Sequence, residues 1–402
     1  MNVMMGTNSN TDSQKWVAGW GADISAVRAD YREYFADVTF RYKIFPTVAA
    51  EALRLHFSAI YNTEDTEITQ VFLAKTKQQD GDSSEILSDT STQVTFHGGN
   101  SSLLLKAGTA DVVSDPIHFV CTPGEEFSVS LYFRKLTQAA TGHSNGNTKY
   151  IKKYACKGNY ATKESLSYYG TLECETYVFL NTIDFLTQTK DDVKAIVAFG
   201  DSITAQPWPD CLAHRIFESG IVNRTVIRRG IGGNRILRGY KFANRQHFGP
   251  AGVERFSDAI RVAGADRVFV LHGINDLIHP TPSGKYSPMS DLPTVEEMIA
   301  GYTYYIDEAH RQEKKIYLAT IMPCAYCLME NGEREKIRLA INDWIRTQAP
   351  IDGCLDFEAY VRDPENAQKM CELYDCGDHL HPNFNGAMQL ANSIPMDIIT
   401  KS

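Results

Sequence analysis

Up to about residue 185 the apolar and polar positions alternate in short runs. Leu53-Arg-Leu-His-Phe57 and Phe127-Ser-Val-Ser-Leu131 repeat with period two, as strands with one buried face require. Ile68, Val71–Leu73, Val94–Phe96 and Leu103–Leu105 are further short strand candidates. Polar breaks separate them, such as Gln78–Ser84 and Gly98–Ser102, and Thr141–Asn147 reads as an exposed loop. Many short strands with such turns predict an antiparallel β-sandwich.

Near Lys190-Asp-Asp192 the period changes. Five apolar strand candidates follow: Ala195–Phe199, Thr225–Ile227, Arg267–Leu271, Ile316–Ile321 and Cys354–Phe357. Helical stripes lie between them. One begins at Thr294 and aligns Val295, Met298, Ile299, Tyr302, Tyr305, Ile306 and Ala309, with Thr294 and Glu297 at capping-box spacing. Ile337, Ala340, Ile341, Trp344 and Ile345 make a second stripe, with the spacing of a core face. The alternation predicts a parallel sheet covered on both faces, in a doubly wound α/β domain whose ligands bind at strand ends. The expected division is a disordered start over 1–15, a sandwich over 16–187 and the α/β domain over 188–402.

Composition narrows the function. With 43% hydrophobic and 22% charged residues, the chain is neither disordered nor collagen-like. Its longest apolar runs, such as Ala195–Phe199, fall far short of the ~18–20 residues that span a bilayer, so no membrane span is expected. A formal charge of -9 gives no reason to expect nucleic acid as partner. The amino terminus shows no signal peptide, which points to the cytoplasm, or to secretion if a leader has been removed. Nine cysteines without a disulfide-framework spacing read as free thiols in a reducing compartment. The alternative is a four-thiolate zinc site from Cys324, Cys327, Cys371 and Cys376, although the second pair is spaced too widely for the common ribbon pattern.

The strand ends hold the candidate chemistry. Phe199-Gly-Asp-Ser-Ile-Thr204 places Ser202 at the mouth of the sheet, as a nucleophile or as a helix cap. Gly81-Asp-Ser83 repeats the tripeptide but follows a polar stretch with no rigid element behind it. Arg229-Gly-Ile-Gly-Gly-Asn-Arg235 fits a turn whose backbone approaches something closely, but lacks the G-x-G-x-x-G spacing of a dinucleotide site. In His272-Gly-Ile-Asn-Asp276, Asn275 can donate to an oxyanion or form an Asx-type turn. Finally, Asp375-Cys-Gly-Asp-His-Leu-His-Pro382 spaces Asp378 and His381 so that a carboxylate can orient an imidazole toward a serine. The same spacing at Asp115–His118 falls in a β-like segment, and at Asp307–His310 on a helix as a solvated pair.

Together these four segments resemble the GDSL or SGNH hydrolase superfamily, whose namesake serine, glycine, asparagine and histidine correspond to Ser202, Gly233, Asn275 and His381. Trp16-Val-Ala-Gly-Trp20, Val94–Gly98, Val113–Pro116 and Val129–Tyr132 extend the likeness to a two-domain bacterial branch with an amino-terminal, jelly-roll-like β-sandwich. The resemblance implies a flavodoxin-like sheet and ester hydrolysis without metal or organic cofactor. It assigns Ser202, His381 and Asp378 to a triad, and Ser202, Gly233 and Asn275 to the oxyanion hole. Short-chain acyl esters are the expected substrates, small molecules or carbohydrates. A carbohydrate O-deacetylase is the alternative, and a non-catalytic carbohydrate-binding protein a more remote one. Two features depart from the pattern: His272, where an acidic residue is frequent, and His379, a second imidazole near the site.

Overall fold

The computed structural model describes residues 13–27, 34–77, 83–144, 146–166, 172–173, 176–241, 243–328 and 332–401. Most of the segment expected to be disordered, most of the Gln78–Ser84 break and the first two residues of the Gly81–Ser83 tripeptide lie outside them.

The amino-terminal region is an antiparallel sandwich. One sheet runs in the order Gln14–Gly21, Leu180–Gln188, Ala50–Phe57, Val112–Val113, with Ile117–Cys121 also pairing to Ala50–Phe57. The other is built on Lys153–Lys157, Val38–Ile44, Phe127–Phe133 and Gln70–Lys75. Leu53, Leu55 and Phe57 from the first sheet share one core with Phe127, Val129 and Leu131 from the second, as the period-two pattern requires. The serines between those last residues are buried too, because Ser130 accepts a hydrogen bond from fully buried Arg41.

Two expectations in this region change. Val94–Phe96 is not a strand: pairing there covers Thr92–Gln93, and Phe96 makes one isolated bridge to Asn100. The side chains of Val94 and Phe96 are nevertheless buried, so their apolar character serves packing. Thr141–Ser144 is a strand rather than a loop, paired with Ser25–Ala26 and Thr176–Val178. Its polar character misled because Thr141 and His143 are buried, Thr141 Oγ1 donating to Asn62 Oδ1 at 2.7 Å and His143 Nδ1 meeting the Asp23 carbonyl at 2.9 Å.

The carboxyl-terminal sheet has five parallel strands: Lys194–Gly200, Arg224–Gly230, Ala265–Leu271, Lys315–Ala319 and Gly353–Leu355. Their spatial order is second, first, third, fourth, fifth, the doubly wound arrangement whose switch point lies beside the first strand. Phe357, expected in the last strand, opens the helix Phe357–Val361. The helix Val295–Arg311 has the expected cap: Thr294 Oγ1 accepts from Glu297 N at 3.2 Å and the Glu297 carboxylate accepts from Thr294 N at 2.9 Å. The helix Glu333–Thr347 buries Ile341 and Ile345 but leaves Ala340 exposed. Its inner face is completed by Arg338, fully buried in ion pairs with Glu335 and Glu358.

The two regions are joined by a single turn at Thr189–Asp191 and by shared packing. Val193, just before the parallel sheet, and Ala195 and Ile227 within it lie in the sandwich core. Thr225 Oγ1 donates to Ala18 O at 2.6 Å, and Arg229 donates to Thr182 Oγ1 at 2.7 Å.

Candidate active site

At the first strand end the backbone turns so tightly that only glycine fits: a Cβ on Gly200 would lie 1.9 Å from the carbonyl oxygen of Leu271. The next residue, Asp201, is buried and caps the short helix Ser202–Ala205 by accepting from Ile203 N at 3.1 Å. The capping role considered for Ser202 therefore belongs to its neighbour. Burial raises the Asp201 carboxyl to about 7 and that of Asp276, at the third strand end, to about 6.

Ser202 Oγ lies 2.7 Å from His381 Nε2, and His381 Nδ1 lies 2.6 Å from Asp378 Oδ2. Partial burial pushes the Asp378 carboxyl up, but hydrogen bonds from the His381 ring and from the N–H groups of His381 and Leu380 outweigh it and hold the pKa at about 2. That ionised carboxylate selects the tautomer with the proton on Nδ1, leaving Nε2 to accept from the serine. His379 is turned away: its Nδ1 meets Asp375 Oδ2 at 2.7 Å and its side chain is mostly exposed.

Gly233 has φ 74° and a Cβ there would lie 2.2 Å from the Phe248 ring, so both conformation and space demand glycine. The close approach of this glycine-rich turn is to protein: a Cβ on Gly230 would meet the backbone N of Ala205 at 2.3 Å. Asn275 is buried and donates one amide hydrogen to Asn234 O at 3.0 Å, while its second hydrogen remains for the cleft that Asn275 lines. Ser202, Gly233, Asn275 and His381 all border one cleft of about 720 Å³, with Asp378 behind the imidazole.

The decoys separate cleanly. Asp115 binds Thr95 and the N–H groups of Gly98 and Gly99, and His310 pairs with Asp352 at 3.1 Å rather than with Asp307. His272 is buried against the Tyr305 hydroxyl at 3.1 Å, and burial lowers its pKa well below the usual histidine value, so it adds no charge. The four proposed zinc ligands do not converge. Among the described residues the only trio of close potential ligands is Asp375, Cys376 and Asp378, and the eight described cysteines are free. No helix among them is long and apolar enough to cross a membrane.

The sequence did not single out Arg255. This buried guanidinium donates to Gly200 O at 2.6 Å and to Asn234 Oδ1 at 2.9 Å, and pairs with Asp23 of the sandwich. It ties the serine and glycine loops together. Nothing in Val253-Glu-Arg-Phe256 marks it, because its partners are brought together only by folding. The sandwich's contribution to the cleft, Ser25–Val27, His143, Ser144 and Thr176, was equally invisible.

No curated protein matches the chain. Solved structures similar to it include a GDSL-like lipase from Bacteroides thetaiotaomicron, 17% identical, covering 54% of this chain and 92% of that one with a TM-score of 0.39. A member of the lipolytic G-D-S-L family from Veillonella parvula is 15% identical, covering 52% and 100% with a TM-score of 0.37. An acetyl xylan esterase is 21% identical, covering 51% and 99%, also at 0.37. The model of the GDSL-like lipase/acylhydrolase family matches residues 198–388, a span that holds Ser202, Gly233, Asn275, Asp378 and His381. Within this segment the chain is similar to the GDSL-like lipase/acylhydrolase family.

Proposed function

We propose that this protein is a serine ester hydrolase of short-chain acyl esters, with Ser202, His381 and Asp378 as its triad. Residues 16–187 are read as a sandwich domain that walls the cleft and 188–402 as the catalytic domain. The observation carrying this reading is the unbroken chain from Ser202 Oγ through His381 to Asp378, at 2.7 and 2.6 Å, opening on a cleft.

His381 Nε2 takes the hydroxyl proton as Ser202 Oγ attacks the ester carbonyl, and Asp378 stabilises the imidazolium. The N–H groups of Ser202 and Gly233 and the second amide hydrogen of Asn275 receive the oxyanion. His381 then protonates the departing alkoxide and activates the water that releases the acyl group. Nucleophile, base and oxyanion donors are all protein groups, so the reaction calls on no cofactor.

A short acyl group suits the lining. The sandwich contributes small or polar side chains, and the loop after Asn275 contributes His279 and Tyr286. A long tail needs a continuous apolar groove, each buried CH₂ being worth about 0.8 kcal/mol. The test is a p-nitrophenyl ester series from acetate to palmitate, beside acetylated xylan and a serine-directed fluorophosphonate. Labelling and turnover lost together in Ser202→Ala, with a maximum at acetate to butyrate, support the proposal. Activity persisting in a contaminant-free Ser202→Ala preparation would falsify the triad, and a maximum at ten or more carbons would remove the short-acyl assignment. Selective acetate release from the polysaccharide would narrow the enzyme to a carbohydrate O-deacetylase.

A further inference from the structure

The chain carries a formal charge of -9, yet no carboxylate lines the cleft beside Ser202 among the described residues. Among the described residues its one permanent charge is Arg245. Burial lowers His279 to about 3 and His143 well below the usual histidine value, so neither ring adds charge.

Three buried arginines around the site have carboxylate partners, Arg228 with Asp210, Arg235 with Asp291 and Arg255 with Asp23, while buried Arg229 donates to Thr182 Oγ1 and the Arg228 carbonyl. Arg245 forms no ion pair among the described residues. Its Cζ stands 4.8 Å from the Tyr286 ring centroid and 5.9 Å from that of Phe248. Its Nε is shut off from solvent without an acceptor, and Nη2 reaches only the Lys285 carbonyl at 3.4 Å. A guanidinium with unmet donors in a partly desolvated place is costly unless an anion completes it. The Phe248 ring beneath it is the one packed against Gly233, so Arg245 stands one aromatic ring from the wall assigned to the oxyanion.

We propose that Arg245 recognises a carboxylate on the alcohol half of the substrate, making the natural ester an O-acylated hydroxy acid such as an acylated uronate. The planar fork of arginine suits two-point binding of a carboxylate. This rests on the esterase reading above, whose small acyl site leaves the charged group to the alcohol half.

The test uses matched aryl acetates: 3- and 4-acetoxybenzoate against the neutral 3- and 4-acetoxybenzamide. In the unaltered protein kcat/KM should favour at least one acid over its amide by about tenfold, a difference of about 1.4 kcal/mol. In Arg245→Gln that ratio should fall to near one, mainly through KM, and Arg245→Lys should recover part of it. Ratios near or below one for both isomers in the unaltered protein would overturn the proposal. So would a ratio that survives Arg245→Gln while both esters slow equally, the behaviour of a purely structural strut. Hydrolysis that persists in Ser202→Ala would overturn the esterase reading and this inference with it, a failure the ratios alone do not produce.

Discussion

At the scale of single residues, the two imidazoles of Asp378-His-Leu-His381 show how local geometry divides chemically equal groups. Each has its own carboxylate, but only His381 reaches Ser202. His381→Ala should therefore lose turnover by several orders of magnitude, whereas His379→Ala should keep most of it. Steady-state assays on p-nitrophenyl acetate check this, and the reverse ranking would show that the base was misassigned. For Asn275, whose amide is held by Asn234 and shares the cleft with Ser202, Asn275→Ala should lower kcat by roughly 10²–10³. A change confined to KM would make it a ground-state contact instead.

Among the elements, the sandwich strand Ala50–Phe57 carries a pH-sensitive cluster. His56 lies between Asp111 at 3.1 Å and Asp184 at 3.1 Å. Burial lowers its pKa, but hydrogen bonds to Asp111 and Asp184 outweigh that and raise it to about 9. The unfolded imidazole titrates near about 6.5, so between that pH and about 9 the folded state binds more protons. The stabilisation is fully present below the lower value and is lost as pH rises through the upper one. Thermal melts across this window should show Tm falling in the unaltered protein and a flatter profile in His56→Gln. Parallel profiles would remove the cluster from the stability balance. The helix Glu333–Thr347 teaches a related point, since its inner face contains Arg338 and Glu335, which a purely apolar stripe leaves out.

At the scale of the whole molecule, the sandwich and the parallel sheet share a core through Val193, Ala195 and Ile227, and Asp23 of the sandwich pairs with the arginine that ties the serine loop. Cutting the chain at residue 188 would expose those apolar side chains and leave Arg255 without its carboxylate. The isolated 188–402 fragment should aggregate or melt well below the full chain. A soluble fragment with the full chain's Tm and esterase activity would instead show that the sandwich contributes neither stability nor a working wall.

What the sequence determined by itself was whatever repeats at short range. The period-two runs around Leu53 and Val129, the five buried strands and the Thr294 cap each depend on residues only a few positions apart. Ser202, Gly233 and Asn275 could be singled out because each follows closely on a strand end, and Asp378 and His381 because of their three-residue spacing in the loop before the last long helix. Tertiary structure alone decided what covers those elements. The polar Thr141–Ser144 segment became a strand because it pairs with Ser25–Ala26 and Thr176–Val178 and buries Thr141 and His143. Arg255 and Arg245 acquired their surroundings from segments far apart in the chain, with Asp23 reaching the first and Tyr286 the second. The place of Arg255 depends on charge compensation and that of Arg245 on packing against aromatic rings, and no local period encodes either.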